Sequence, residues 1–219
     1  MLKTFERYLK LLERYLGGKK SLLDVGAATG FFIKLAESFG WQAAGVEISA
    51  FAAAVAAKDG LKVIHGTIKD YSPASGPLDA VTYLDVFEHL PQPQAELDLV
   101  KKILKPGGLL LINTPDSSSL FAKILGKNWY SILPPEHIIL YNPKNLAAFL
   151  EKNGFTVLLT KKIGKKFSLP YVFQILYNWL GWKTLLNLSK IFSGKFFDSL
   201  SLPLNLRDNF FIIAQKNYE

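Results

Sequence analysis

Asp24, Gly26, Ala28 and Gly30 alternate along Leu22-Leu23-Asp24-Val25-Gly26-Ala27-Ala28-Thr29-Gly30. Small residues at that spacing let the main chain pass close to a ligand, and a helix starting after them turns its free N–H groups toward it. A glycine turn alone serves equally well as a plain strand-to-helix joint. Glu47, 17 residues after Gly30, adds an acid at the end of a second strand, placed to accept both hydroxyls of a ribose. Asp24 sits inside the turn, where a carboxylate repels a pyrophosphate and attracts an amino group. Together they point to a zwitterionic nucleoside rather than a dinucleotide. Other residues could move protons. Of the three histidines, His89 follows Glu88 just past a fourth strand, on the sheet edge where open α/β folds bind ligands. His137 lies in Pro134-Pro135-Glu136-His137. Either imidazole could take a proton from an acceptor hydroxyl. His65 ends a third strand and reads as structural.

The elements that must position these groups alternate strand and helix. Phe5, Leu9, Leu12 and Leu16 recur at helical spacing and stop at Gly17-Gly18, which predicts an N-terminal helix within residues 1–18. Apolar runs predict strands at 21–25, 42–47, 61–64, 79–84, 109–113, 155–160 and 209–214. Helical patterns fall at 31–39, 95–104 and 143–153, and Ser49 caps an alanine-rich helix that reaches Lys58. Lys105-Pro106-Gly107-Gly108 cannot continue a helix and reads as a turn. Strands separated by helices imply a mostly parallel sheet with helices on both faces. Residues 161–206 interrupt the rhythm.

A chain of 219 residues, 49% hydrophobic and 20% charged, can bury the core of a single α/β domain. No apolar stretch is long enough for a membrane-spanning helix, and Met1–Arg7 lacks the order of a secretory signal. The absence of cysteine excludes disulfides, thiolate zinc sites and a Cys nucleophile. A cytoplasmic address is expected. The net charge of +8 is local. Residues 152–197 hold eight lysines and no Asp, Glu or Arg, so the remaining 18 basic residues balance the 18 acidic ones. That concentration points to an anionic partner at one place.

Four stretches carry a family resemblance: Leu23 to Gly30; Gly45-Val46-Glu47-Ile48-Ser49; Leu78 to Thr82 with Asp85-Val86-Phe87-Glu88-His89; and Leu104-Lys105-Pro106-Gly107-Gly108. In that order and at those spacings they resemble the successive motifs of class I S-adenosylmethionine-dependent methyltransferases. Pro135-Glu136-His137-Ile138-Ile139-Leu140-Tyr141 is similar to the branch containing the ubiquinone-biosynthesis O-methyltransferases and related small-molecule enzymes. The resemblance implies a Rossmann-like fold with seven strands ordered 3-2-1-4-5-7-6, the last antiparallel. It implies that Asp24, Gly26, Ala28 and Gly30 cradle the methionine part of S-adenosylmethionine, Glu47 binds the ribose, Ile48 flanks the adenine and Asp85 lies near the methionine end. Ala28 replaces a usual glycine. Thr67 stands where an Asp commonly meets the adenine amino group.

The resemblance places His137 above the same pocket, so the candidate catalytic residues are His89, His137 and Glu88. Some relatives carry a carboxylate-x-x-Glu-His run plus a later His holding a divalent metal, which maps onto Asp85, Glu88, His89 and His137. Two oxygens and two imidazoles suit Mg²⁺, Mn²⁺ or Zn²⁺. Asp85 is shorter than the Glu of those relatives, and the favoured assignment has Glu88 and His89 bracing the loop without metal. Residues 161–206 mix lysines with Tyr171, Trp179, Trp182 and Phe196. This basic, aromatic insertion is expected to be helical, either a cap over the site, a dimer contact or a contact with anionic membrane and an amphipathic, lipid-linked acceptor. Nucleic acid is not favoured, because Tyr83-Leu84-Asp85-Val86 lacks the Asn/Asp-Pro-Pro-aromatic run of base methyltransferases. The expected activity is O-methylation of a small-molecule or lipid- or glycan-linked acceptor. The alternatives are an inactive membrane-surface binding protein on the same fold, or a dinucleotide or nucleotide-sugar enzyme.

Overall fold

The computed structural model of the chain describes residues 2–18, 20–73, 76–163 and 207–218, with isolated positions between 164 and 206. The predicted insertion at 161–206 therefore lies almost wholly outside the described residues. Seven strands form one sheet: β1 (Ser21–Val25), β2 (Gln42–Glu47), β3 (Val63–His65), β4 (Leu78–Leu84), β5 (Leu104–Pro115), β6 (Phe155–Ile163) and β7 (Asn209–Lys216). Their order across the sheet is β3-β2-β1-β4-β5-β7-β6. β1 to β5 run parallel, and β7 inserts antiparallel between β5 and β6. A two-residue ribbon, Phe167–Ser168 against Ser201–Leu202, stands apart.

Alternation along each strand feeds two apolar layers, because successive side chains point to opposite faces. Leu22, Ala80, Leu109, Leu111 and Ile213 pack on one side with Tyr8, Leu9 and Leu12 of helix α1 (Leu2–Leu16) and Phe32 and Ile33 of α2 (Phe31–Ser38). Leu23, Val81, Leu110 and Ile112 pack on the other with Leu97 and Val100 of α4 (Pro93–Ile103) and Leu146 and Leu150 of α6 (Pro143–Lys152). Helix α3 (Ala50–Lys58) flanks β3, and Ser49 caps it through a 3.3 Å bond from Ala52 N. Strands covered on both faces read as unbroken apolar runs, and Leu109–Ile112 and Phe210–Ala214 do.

The structure moves several predicted boundaries. β3 starts at Val63 because Leu61 N bonds to Ala56 O, closing the end of α3. Lys105–Gly108 is not a free turn. Leu104 pairs with Leu78 and Leu109 with Ala80, so the intervening residues bulge within β5, and Gly107 takes a φ of 74°. Helix α5 (Leu120–Leu125) had no periodic signal, being under two turns long.

Gly45 in β2 lets the sheet and α2 approach. A Cβ there would lie 2.5 Å from both Ala27 Cβ and Ile33 Cδ1. Both neighbours are buried and cannot swing away. Gly45→Ala is expected to cost about 1–3 kcal/mol by overpacking, read as a lowered urea midpoint; a change within about 0.5 kcal/mol would show that the two layers have slack.

Candidate active site

Among the described residues, the groups that could do chemistry gather at the carboxyl ends of β1, β2, β4 and β5 and at the amino end of the antiparallel β7. The turn after β1 is stitched to β2 by Gly26 N and Ala27 N, which donate to Val46 O at 2.9 and 3.0 Å. Gly26, Ala28 and Gly30 adopt φ values of 78°, 47° and 81°, so the alternation seen in the sequence is an alternation of left-handed residues. A side chain on Gly26 would collide with Val86. Ala28 meets the same backbone demand with a Cβ, at a steric cost.

Glu47 locks two loops together. Its Oε2 accepts from Ala28 N at 2.8 Å and its Oε1 from Ser49 N at 2.7 Å. A carboxylate offers about four lone-pair sites, so both oxygens keep capacity for hydroxyl donors. Asp24 is buried, and its Oδ1 accepts from the Thr82 hydroxyl at 2.6 Å. Burial pushes its carboxyl up to about 7; the Thr82 bond opposes the rise and the charge of Glu47 adds to it.

Beside the turn opens a cleft of about 530 Å³, lined by Gly26, Ile48, Thr67, Ile68, Val86 and Leu90 among others, and reached by His89. Ile48 is 76% exposed there, an open apolar face of the kind that packs on a flat ring. The Thr67 hydroxyl donates to Asp70 Oδ2 at 3.0 Å and accepts from Lys69 N at 3.3 Å. Its proton is spent within the chain, and only acceptor capacity is left for a ligand amino group. His65 bonds through Nε2 to Ile48 O at 3.1 Å and holds the start of that loop.

The exit from β4 forms the other wall. Asp85 takes a φ of 56°, and its Oδ1 accepts from Asn113 Nδ2 at 2.9 Å and Asn209 Nδ2 at 3.2 Å. Glu88 is buried and accepts from the Thr114 hydroxyl at 2.9 Å, while its carbonyl receives Ile138 N and Ile139 N at 3.0 and 3.1 Å. Burial raises its carboxyl to about 6. The His89 and His137 rings stand edge to face with centroids 4.7 Å apart. His89 Nδ1 bonds to Glu136 O at 2.8 Å and His137 Nδ1 to Ser131 O at 2.6 Å. Each Nδ1 is thereby the protonated nitrogen, and each Nε2 is left as the basic one.

Glu88, His89 and His137, 48 residues apart between the last two, bring ligand-type atoms within 4.8 Å of one another. Asp85 is not in that group. Asn113, Asn209, Thr82 and Thr114 were not singled out in the sequence. The signal available was a polar pair, Asn113-Thr114, directly after the apolar run of β5, and Asn209 directly before that of β7.

A family model described as a methyltransferase domain matches residues 2–160. The chain belongs to the S-adenosylmethionine-dependent methyltransferases. It is 28% identical over 173 residues to a ubiquinone biosynthesis O-methyltransferase of Burkholderia vietnamiensis, covering 71% of this chain and 74% of that one. A relative of the same description from Idiomarina loihiensis is 32% identical over 135 residues, 57% of this chain and 52% of that one. Among solved structures, a SAM-dependent methyltransferase from Archaeoglobus fulgidus superposes with a TM-score of 0.63 at 22% identity, over 99% of this chain and 95% of that one. The magnesium protoporphyrin IX methyltransferase of Synechocystis, with bound S-adenosylhomocysteine, superposes with a TM-score of 0.61 at 14% identity, over 99% of this chain and 83% of that one. The expected seven-strand order and methyl donor thus hold for this chain, and the dinucleotide alternative falls away. No helix among the described residues is long and apolar enough to cross a membrane.

Ala28 gives a direct check on the turn. Glycine at this φ removes about 1–2 kcal/mol of steric cost and returns about 0.4–1 kcal/mol to the unfolded chain. Ala28→Gly is expected to raise the urea midpoint slightly; a loss of stability would mean that the Ala28 Cβ contributes packing that outweighs its strain.

Proposed function

We propose that this methyltransferase transfers a methyl group to an oxygen of a small-molecule, lipid-linked or glycan-linked acceptor, with the His89–His137 pair removing the acceptor's proton. One observation carries it. Two imidazoles from separate segments meet beside the donor cleft, each with Nδ1 tied to a carbonyl, so that a basic Nε2 is presented by both. A hydroxyl must lose its proton as the methyl bond forms, and a positioned imidazole supplies about 10²–10⁴-fold. The similarity to relatives described as O-methyltransferases supports oxygen as the acceptor atom.

The residues around the cleft suit the donor. Bound S-adenosylmethionine supplies an electrophilic methyl on a positive sulfonium. In our assignment Gly26 and Gly30 leave room for its methionine part, with Ala28 completing the turn. Glu47 accepts the ribose hydroxyls, Ile48 packs on the adenine and Thr67 accepts from its amino group. Asp24 and Asp85 face the positive end. The Glu88 carboxylate, bonded to Thr114, braces the loop that carries His89.

A second assignment rests on the same cluster. Glu88 with the two Nε2 atoms makes a mixed nitrogen–oxygen set that suits Zn²⁺ or Mn²⁺, and carbonyl partners on the opposite ring nitrogens are what metal-bound histidines usually have. A metal there would acidify the acceptor hydroxyl. Full activity after chelation excludes it.

Two outcomes test the function. Methyl-tritiated S-adenosylmethionine with a panel of small phenols and sugars should label oxygen, and His137→Ala should lower kcat about 10²–10⁴-fold with donor affinity kept. Calorimetric binding of NAD without S-adenosylmethionine would sink the assignment.

Asp24 predicts a pH signature for donor binding. Its folded-state value near 7 lies above the ordinary 3.8, so its proton favours the folded chain. That contribution is present at low pH and is lost as pH rises toward 7. A positive ligand needs the carboxylate form. Donor affinity should therefore climb about tenfold per unit up to pH 7 and level off, with proton release on binding below that pH. Calorimetry in buffers of different ionisation enthalpy reads this directly, and a flat profile from pH 5 to 8 would remove Asp24 from the site.

A further inference from the structure

We propose that the hydrogen bond from Tyr130 to Asp208 is the latch that positions His137, acting through the carbonyl of Ser131. The inference rests on His137 being the base named above. Tyr130 OH donates to Asp208 Oδ2, joining the segment after α5 to the residue that leads into β7, 78 positions along the chain. The next residue on each side touches the site. Ser131 O holds His137 Nδ1 at 2.6 Å, and Asn209 Nδ2 holds Asp85 Oδ1 at 3.2 Å. One side-chain bond thus sets the spacing between the segment bearing His137 and the strand that orients Asp85.

Asp208, at one end of this tie, and Ser131, beside the other, are both buried. Asp208 has no exposed surface, and its Oδ1 has no hydrogen-bond partner among the described residues. Ser131 is buried with its Oγ equally unpartnered. Groups buried this way cost stability. The main chain adds a second tie, from Asp116 N to Asp208 O at 2.7 Å. Asp116 in turn spends Oδ1 on Ser118 N and Oγ, and its Oδ2 lies 2.7 Å from Lys162 Nζ as an ion pair without a directed hydrogen bond. Asp208 is therefore anchored from behind and meets Tyr130 in front. From Ser131 the chain runs on through Leu133 O, which receives Glu136 N and His137 N at 2.7 and 3.0 Å, to the Glu136 carbonyl that holds His89. A shift of Tyr130 moves the carbonyls of both imidazoles.

A carbonyl that fixes a ring by accepting from Nδ1 also chooses its tautomer. Long-range ¹H–¹⁵N spectra of the full chain with S-adenosylhomocysteine bound read that choice without an acceptor. Wild-type His137 should carry its proton on Nδ1. Tyr130→Phe and Asp208→Ala should each shift the His137 tautomer ratio roughly fivefold toward Nε2–H, the effect of one lost oriented hydrogen bond. Asp208→Asn keeps an oxygen for the Tyr130 hydroxyl and should restore the wild-type ratio. His65, held by Ile48 O on the far side of the cleft, should not change. An unchanged His137 in both Tyr130→Phe and Asp208→Ala overturns the latch, as does an equal change in His65. Should either of these variants fail to fold, the other set against Asp208→Asn decides it. A wild-type His137 protonated on Nε2 overturns the base assignment as well as the latch, which separates the two failures.

Discussion

A single buried amide, that of Asn113, ties together the sheet edge on which the two imidazoles stand. Asn113, at the end of β5, donates from Nδ2 to Asp85, accepts on Oδ1 from the Tyr8 hydroxyl at 3.0 Å, and offers its main-chain oxygen to Asp85 N at 2.9 Å. Three elements distant in sequence, the N-terminal helix, the exit from β4 and the centre of the sheet, therefore share one side chain. Asp85 can sit in a left-handed conformation because both its N–H and its carboxylate are gripped from β5 and β7. That conformation turns the chain sharply after β4 and delivers Glu88 and His89 beside the donor cleft. Burial of the Tyr8 phenol, with the charge of Asp85 nearby, pushes its ionisation well above the usual range, so it remains a neutral donor throughout.

Glu47 does for one wall of the cleft what Asn113 does for the other. Its two oxygens clip the turn after β1 to the loop after β2. The acid expected to meet a ribose is thus already an organiser of the protein. Such a group needs no reorganisation when hydroxyls arrive, because its position is set by main-chain donors rather than by solvent. The neighbouring Asp24 is buried and bonded to one hydroxyl, and burial raises its carboxyl above the ordinary range.

The wall that carries the two imidazoles is built from less regular chain. Both imidazoles are steered by carbonyls of residues 131–136, which lie in no helix or strand, and their order depends on ties to β4 and β7. Such a segment can be remodelled without disturbing the seven-stranded frame, which is the physical basis for one fold serving many acceptors.

The sequence by itself determined the frame and the donor. Apolar runs separated by helical periods dictate a parallel sheet, since period and burial are local properties of the chain. The alternating small residues from Asp24 to Gly30 announce the left-handed turn for the same reason, and Glu47 and Ile48 follow from where β2 must end. The resemblance puts His89 and His137 at one pocket, but only the tertiary structure decided that their rings stand edge to face, that Asn113 and Asn209 share Asp85, and that Tyr130 reaches Asp208. Each of these pairs joins segments whose separation is fixed by sheet order and by the antiparallel return of β7. No local spacing encodes such a distance, because it is set by how β4, β5 and β7 lie side by side after the whole chain has folded.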